Sequence, residues 1–308
     1  MVAHCRAATR PLMYGVAMLG VHEFVRGHGL GNDYLVVDGE RFGVELTPRR
    51  IIAICDRHTG VGSDGILERV PAPAGFDAAV RIYNPDGSEA EKSGNGTRIF
   101  SKFCFDHGYA SPDRPLRLHT LGGPVTAQLI ARERDRSVMR MSMGRVSFRC
   151  ADLPMDGRGA DEWVQAPLIV GDRTFTATCV SVGNPHAVLF DAPFDEASAC
   201  KWGPLVENHV QFPRRTNVQL IQPVDRSTVR ALIWERGAGW TLSSGTSSCA
   251  VAAACVRAGL TERRVEVVMP GGTLEVIVGD DWQLEQIGFA QEVALGRISA
   301  DLLHAMGA

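Results

Sequence analysis

Two similar stretches, one in each half of the chain, constrain the fold most strongly. Residues 84–98 and 235–250 each contain a glycine-rich turn, a serine, a glycine, a polar residue and then an apolar run. Serine is a preferred residue at the start of a helix, so Ser93 and Ser244 are predicted N-caps. A helix N-terminus carries free N–H groups and partial positive charge. Two such termini, from two similar halves, could hold one small anion between them.

The surrounding sequence repeats a similar order of elements in both halves. Strands are predicted at 22–26, 33–38, 79–83, 116–120, 125–131 and 137–143, and then at 163–170, 173–182, 187–190, 217–223, 230–235, 265–269, 273–278 and 282–287. Helices are predicted at 47–56, 96–107 and 246–257, the first with Thr47 as N-cap and Pro48 at its first position. A repeated unit of this kind implies two similarly folded domains, with a linker near residues 144–147.

Composition excludes several classes of function. The 308 residues are 45% hydrophobic and 22% charged, with a net charge of −3, which suits a protein with a sizeable core. The sequence contains no basic patch that would indicate nucleic-acid binding. It also contains no run of 18 apolar residues that would indicate a membrane span. The eight cysteines are scattered without a C-x-x-C pair, which indicates reduced thiols in the cytoplasm. No Cys/His cluster predicts a metal site.

The first 20 residues differ in character from the rest. Arg6 and Arg10 precede the apolar run 11–20, but no small-residue cleavage site follows. The segment is expected to be a disordered extension, or to result from a start codon placed upstream of the true one. A weak signal peptide is the alternative.

Five sequence blocks carry a family resemblance. They are HGLGNDYLVVD at 28–38, DRHTGVGSDG at 56–65, GNPH at 183–186, RTNV at 215–218 and ERG at 235–237. In this order they resemble the diaminopimelate epimerases, which are cofactor-independent amino-acid racemases of the wider proline-racemase-like superfamily. The resemblance covers most of the chain after residue 21.

The resemblance implies an α+β fold of two pseudo-symmetric domains, each a mixed β-sheet or barrel wrapped around a central helix. Residues 21–145, joined by the returning segment at about 288–308, are expected to form the first domain. Residues 146–287 are expected to form the second, and residues 1–20 lie outside both.

The chain departs from the family pattern at the catalytic positions. The resemblance places cysteines, the acid and the base of the reaction, where this chain has Ser93 and Ser244. It also places glutamate at Trp240 and glycine at Ser247. A serine hydroxyl is a much weaker acid than a thiol, and it needs a partner base to become ionised.

Racemisation at an α-carbon requires one group to remove a proton and another to deliver a proton on the opposite face. Ser93 and Ser244 are the candidates for these roles, and they are predicted to face each other across a cleft between the domains. Lys92 could assist Ser93, although a solvated surface lysine is the commoner case. Cys249 is expected in the core, and His186 is expected to be a satisfied histidine after a turn rather than a base.

Candidate substrate-binding groups come from both halves. The backbone amides at the helix starts could bind a carboxylate, and asparagines could bind the polar ends of an amino acid. Glu235 and Arg236 could pair with an ammonium and a carboxylate. The alternatives are plain helix capping, turn chemistry and a surface ion pair. The proposed substrate-binding residues are Asn32, Asn84, Gly94, Asn95, Asn184, Asn217, Glu235, Arg236, Gly245 and Thr246.

The sequence therefore predicts a cofactor-independent amino-acid epimerase, which resembles the enzymes that convert LL- to meso-diaminopimelate in lysine biosynthesis. A homodimer without metal, cofactor, nucleic-acid or membrane partners is expected, with a small amino acid as substrate. Two alternatives stay open: an isomerase or dehydratase of the same fold acting on another amino acid, and a non-catalytic protein that binds an amino acid.

Overall fold

A computed structural model describes residues 18–157 and 159–307, so most of the predicted N-terminal extension lies outside the described residues. The helices are α1 (Pro48–Cys55), α2 (Gly94–Asp106), α3 (Glu196–Glu207), α4 (Gly245–Arg257) and α5 (Ala300–Ala305). The strands of the first half are β1 (Glu23–Gly29), β2 (Asn32–Asp38), β3 (Ile66–Val70), β4 (Ala78–Tyr83), β5 (Glu89–Ala90), β6 (Leu116–Thr120), β7 (Gly123–Arg132) and β8 (Ser137–Arg145). Those that follow are β9 (Ala166–Val170), β10 (Arg173–Ser181), β11 (Pro185–Leu189), β12 (Asn217–Pro223), β13 (Thr228–Glu235), β14 (Gly239–Thr241), β15 (Arg264–Met269), β16 (Gly272–Val278) and β17 (Gln283–Arg297).

The first half forms a closed barrel around α2. Its strands pair in the order β1, β2, β3, β4, β6, β7, β8 and β17, and β17 pairs again with β1. Closure leaves these strands without a free edge. Helix α2 packs inside through apolar side chains such as Phe100 and Cys104, which are fully buried.

The second half surrounds α4 in the same way. Strands β10, β11, β12, β13, β15, β16 and β17 pair in that order. The linker continues this ring, because the Val146 amide donates to the Trp282 carbonyl and Ser147 pairs with Ser181 of β10. The apolar run from Cys249 to Cys255 is fully buried within it. The predicted α+β fold, with a barrel around a central helix, is confirmed.

Strand β17 belongs to both barrels. Its first part pairs with β16 of the second barrel and with β8, and residues 291–297 pair with β1 of the first. The exact domain boundaries stay a prediction, but one continuous strand joins the two barrels directly.

Most predicted elements are present, with shifted ends. Helices α2 and α4 begin at Gly94 and Gly245, slightly earlier than predicted. The strand predicted at 163–170 begins only at Ala166. Helix α3 has no counterpart in the predictions, because Gly203 and Pro204 interrupt its helical pattern. No helix in the described part of the chain is long and apolar enough to cross a membrane.

Candidate active site

The two predicted N-caps are confirmed, and their helices begin at the same place. The Ser93 hydroxyl accepts from the Gly96 amide at 3.0 Å, and the Ser244 hydroxyl accepts from the Ser247 amide at 3.3 Å. A Cβ atom built on Gly94 would lie only 2.9 Å from the Cα atom of Gly245. The helix N-termini therefore touch backbone to backbone, which only glycine permits at this distance.

This contact brings together the polar ends of two helices. The first amides of α2 and α4 have no carbonyl partner within their own helices. They include the proposed carboxylate donors Gly94, Asn95, Gly245 and Thr246. Partial positive charges from two helices meet here, so the junction favours an anion.

A buried guanidinium lies next to the junction. The side chain of Arg98 is fully buried, and it donates to Asn95 Oδ1 at 2.6 Å, Gln286 Oε1 at 2.7 Å and the Phe289 carbonyl at 2.8 Å. Gln286 in turn donates to the Gly245 carbonyl at 2.8 Å. Burial lowers the pKa of Arg98 to about 10, so the group stays charged at neutral pH and adds to the positive potential.

Each serine contacts a titratable side chain. The Tyr34 hydroxyl donates to Ser93 Oγ at 3.3 Å. On the other side, a hydrogen bond from Ser244 favours the charged form of the Glu235 carboxylate. Burial opposes this effect and is stronger, so the pKa of Glu235 is raised above its ordinary value. The sequence indicated neither contact.

Three of the five proposed asparagines form hydrogen bonds within the turns that carry them or with a neighbouring segment. The Asn84 amide donates to Ser88 Oγ at 3.0 Å within its own turn, and the Asn32 amide donates to Asp64 at 2.9 Å. Asn217 donates to the Pro185 carbonyl at 2.9 Å and accepts from the Arg236 amide at 3.0 Å. These bonds hold the turns at the site, and they match the turn-chemistry alternative for Asn84.

His186 is satisfied on both ring nitrogens, as predicted. Nδ1 accepts from the Gln219 amide at 3.0 Å, so Nε2 carries the proton and donates to Asn184 Oδ1 at 2.9 Å. Burial, the largest effect, and the positive charge of Arg236 lower the pKa of His186 to about 3. The ring is therefore neutral, and it orients Asn184 instead of acting as a base.

A buried carboxylate that the sequence did not indicate holds the turn after β13. Glu207, at the end of α3, is 5% exposed. Its Oε1 accepts from the Gly237 amide at 2.9 Å and from Arg215 at 3.0 Å, and its Oε2 accepts from Trp234 Nε1 at 2.7 Å. This turn carries Arg236, so Glu207 fixes the position of the second binding segment.

A cavity of about 240 Å³ opens between segments of the two halves. Among the proposed substrate-binding residues, Asn32 lies in its wall, and Trp240 lines the same cavity. Arg57 and Asp64 form an ion pair at 2.7 Å there. They were not among the site residues predicted from the sequence, although both belong to the block at 56–65. The lining residues are Gly31, Asn32, Arg57, Asp64, Trp240, Thr241 and Leu242.

Two further predictions have opposite outcomes. Cys249 is fully buried, as expected for a core residue. The expectation of a solvated Lys92 is wrong, because the side chain is half-buried and its ammonium donates to the Met143 carbonyl at 3.3 Å. Burial also lowers the pKa of Lys92.

We expect Arg236→Ala to weaken amino-acid binding by about tenfold while changing the melting temperature little. Arg236 is exposed, and its guanidinium makes a long hydrogen bond of 3.3 Å to the Arg214 carbonyl. The hydrogen bond from its backbone amide to Asn217 Oδ1 does not depend on the side chain, so the substitution leaves it in place. Calorimetric titration and thermal unfolding would measure both effects, with the exposed neighbour Arg214→Ala as control. A large loss of stability with unchanged affinity would assign Arg236 a structural role.

Comparisons with known proteins find similar sequences over most of the chain. Residues 24–149 and 178–293 match the family model described as diaminopimelate epimerase. A relative named diaminopimelate epimerase 2, from Nostoc sp., is 40% identical over 280 residues, which cover 91% of this chain and 96% of the relative. A diaminopimelate epimerase from Pelotomaculum thermopropionicum is 38% identical over 275 residues, which cover 89% of this chain and 97% of the relative.

Solved structures share the fold at low sequence identity. A hydroxyproline epimerase from Agrobacterium vitis, with bound trans-4-hydroxy-L-proline, has a TM-score of 0.65 at 14% identity. The match covers 89% of this chain and 90% of that one. A phenazine biosynthesis protein of the PhzF family from Bacillus anthracis has a TM-score of 0.62 at 16% identity and covers 91% of this chain and 100% of that one.

Proposed function

Because the chain belongs to the diaminopimelate epimerase family, we propose that it interconverts LL- and meso-diaminopimelate at the α-carbon without a cofactor, with Ser93 and Ser244 at the two proton-transfer positions. The chain is an isomerase, and the choice of substrate and of these residues is the proposal. The observation that carries it is the contact between Gly94 and Gly245, at which two serine-capped helices begin.

The first step is binding of the substrate carboxylate at this junction. The first residues of both helices meet there, and the buried charge of Arg98 adds to the positive potential of the helix starts. Negative charge develops on the carboxylate when the α-proton leaves, so these donors stabilise the transition state more than the ground state. The acidity of the α-carbon is thereby raised without a cofactor.

Proton removal is assigned to the Ser244 side. The α-proton moves to Ser244 Oγ while the Ser244 proton moves to the Glu235 carboxylate, which becomes a carboxylic acid. Glu235 is suited to this role because burial raises its pKa, which makes its carboxylate a stronger proton acceptor. On the opposite face, Ser93 gives its hydroxyl proton to the carbanion, and the proton taken up by Glu235 returns through solvent to the Ser93 side, which closes the cycle. A partner base thus removes the main difficulty of a hydroxyl in a position where the family resemblance places a thiol.

Deuterium exchange at the α-carbon tests this function directly. Purified protein is incubated with LL-diaminopimelate in D₂O, and NMR and chiral chromatography measure α-deuteration and inversion. We expect both in the natural chain, and a loss of at least about 100-fold in Ser244→Ala. The exposed loop serine in Ser111→Ala is the matched control and should retain full activity.

The outcome of this experiment separates the alternatives. Absence of exchange with bound diaminopimelate would overturn the enzymatic proposal and favour a non-catalytic binding protein. Exchange that persists in Ser244→Ala would remove Ser244 from the mechanism.

One observation favours a second candidate, an isomerase or dehydratase acting on another amino acid. Trp240 and Leu242 add apolar surface to the cavity, and the family resemblance places a glutamate at Trp240. A substrate with an apolar side chain would contact this wall favourably. A panel of amino acids in the exchange assay distinguishes the two. The homodimer and the cytoplasmic location stay predictions.

A further inference from the structure

Tyr34 is held rigidly against Ser93. It lies in β2, its side chain is buried, and its hydroxyl donates to Ser93 Oγ at 3.3 Å. The backbone of Gly65 packs on the ring: a Cβ atom built there would lie 2.8 Å from Tyr34 Cε1, and the φ of +156° also favours glycine. This packing, together with the burial of the side chain, holds the hydroxyl beside Ser93. Catalytic hydrogen bonds of this length commonly shorten when substrate binds.

The hydrogen bonds of Ser93 determine where its own proton can go. A serine hydroxyl has two acceptor lone pairs and one proton to donate. At Ser93 the lone pairs accept from the Gly96 amide and from the Tyr34 hydroxyl. Within residues 18–157 and 159–307, no hydrogen bond from the Ser93 hydroxyl to an acceptor is present. The proton is therefore available to a bound ligand.

The other serine has the opposite arrangement. Ser244 Oγ accepts from the Ser247 amide and lies 3.5 Å from Thr246 Oγ1. Its interaction with Glu235 favours the charged carboxylate and lowers the pKa of that group, against the larger effect of burial. The carboxylate beside Ser244 can accept its proton, whereas the phenol beside Ser93 donates to it and leaves the Ser93 proton free to bind a ligand. The two faces of the site are thus chemically different, although the two helices that form them are alike.

We infer that Tyr34 is a positioning residue that makes Ser93 the proton donor of the reaction and takes up the charge that the donation leaves. The inference rests on the proposed function. As the Ser93 proton bonds to the α-carbon, the Tyr34 proton moves to Ser93 Oγ, so Ser93 is again a neutral hydroxyl and Tyr34 is a phenolate. Solvent then carries the proton held by Glu235 back to Tyr34, which completes the balance.

The relay avoids an alkoxide on Ser93. A phenol, with an ordinary pKa of about 10, is a far stronger acid than an aliphatic hydroxyl, so a phenolate is a more stable anion than an alkoxide. Burial, together with the negative charges of Glu235 and Asp64, raises the pKa of Tyr34 to about 12. The resting enzyme therefore holds Tyr34 protonated and ready to support donation. In this state it acts on the stereoisomer whose α-proton faces Ser244. The opposite isomer reacts by the reverse transfers, from the state in which Tyr34 is a phenolate and Glu235 a carboxylic acid.

Tyr34→Phe tests this assignment, because it removes one oxygen and leaves the ring in place. For the isomer whose α-proton faces Ser244, we expect removal of the proton to continue while delivery from Ser93 slows. The carbanion then takes back deuterium on the same face. The ratio of α-deuteration with retention to inversion should rise at least about tenfold in D₂O. For the opposite isomer, exchange and inversion should both fall.

Tyr83→Phe is the matched control, since that tyrosine is also buried. Its hydroxyl donates to Glu68 at 2.8 Å and not to either serine of the site. This substitution should leave the ratio unchanged. Site-specific 3-fluorotyrosine at position 34 gives a second measurement that preserves the hydroxyl; its more acidic phenol should lower the ratio of exchange to inversion.

Three results would overturn the assignment of Tyr34. They are an unchanged ratio in Tyr34→Phe, an equal fall of exchange and inversion for both isomers, and no response to 3-fluorotyrosine. In each case the natural chain still exchanges its substrate, so the proposed function stands. Absence of exchange in the natural chain would instead overturn the proposed function itself.

Discussion

The double variant Ser93→Cys/Ser244→Cys should epimerise diaminopimelate at least about 100-fold faster than the natural chain. Each substitution exchanges one oxygen for sulfur, and a thiol with an ordinary pKa of about 8.5 is easier to ionise than a hydroxyl. Both thiols would cap helices, where the bare amides favour a thiolate. The rate of inversion, measured by chiral chromatography, is the readout.

The single variants are the matched controls for this experiment. Each should gain far less than the double variant, because inversion needs a competent group on both faces of the α-carbon. Circular dichroism would establish that all three variants are folded. A folded double variant without any gain would mean that Trp240 or another pocket residue selects a different substrate, and diaminopimelate should then be abandoned.

Arg98→Met should destabilise the fold by about 3–5 kcal/mol and should also abolish carboxylate binding. The substitution leaves three buried oxygens, those of Asn95, Gln286 and Phe289, without a donor, and each unpaired group costs about 1–3 kcal/mol. It also removes the positive charge next to the two helix starts. Denaturant unfolding and calorimetric titration would measure the two effects.

Arg81→Met is the matched control for that variant. Arg81 pairs with Glu89 at 3.0 Å, but half of its side chain is exposed, so its removal should change stability by less than about 1 kcal/mol. A loss of similar size in both variants would show that the buried hydrogen bonds of Arg98 have little influence.

The elements that were predicted well depend on local sequence. The N-caps at Ser93 and Ser244 follow from the residue types at a helix start, and the apolar runs behind them predict buried helices. Helix α3 was missed because Gly203 and Pro204 disturb its pattern, although Asp195 caps its start. Because Glu207 lies at the end of this helix, its role in holding the turn at Gly237 was missed as well.

The contacts of the site depend on pairing between distant segments. Tyr34 lies in the first sequence block, but its contact with Ser93 requires the parallel pairing of β2 with β3 and the close approach of Gly65. Glu235 was predicted to bind substrate from its place before the second motif, and its interaction with Ser244 is the basis of the proton-acceptor role proposed for it. No periodicity within one segment contains this information.

The shared strand β17 has a consequence for the way in which the chain folds. Glu23 of β1 pairs with Arg297, near the other end of the chain. During synthesis, β1 must remain without this partner until residues 291–297 of β17 have been made. Closing so long a loop slows folding, and the exposed edge of β1 is open to wrong pairing in the meantime. Completion of the first barrel is therefore expected to be the last step of folding, even though its strands are synthesised first.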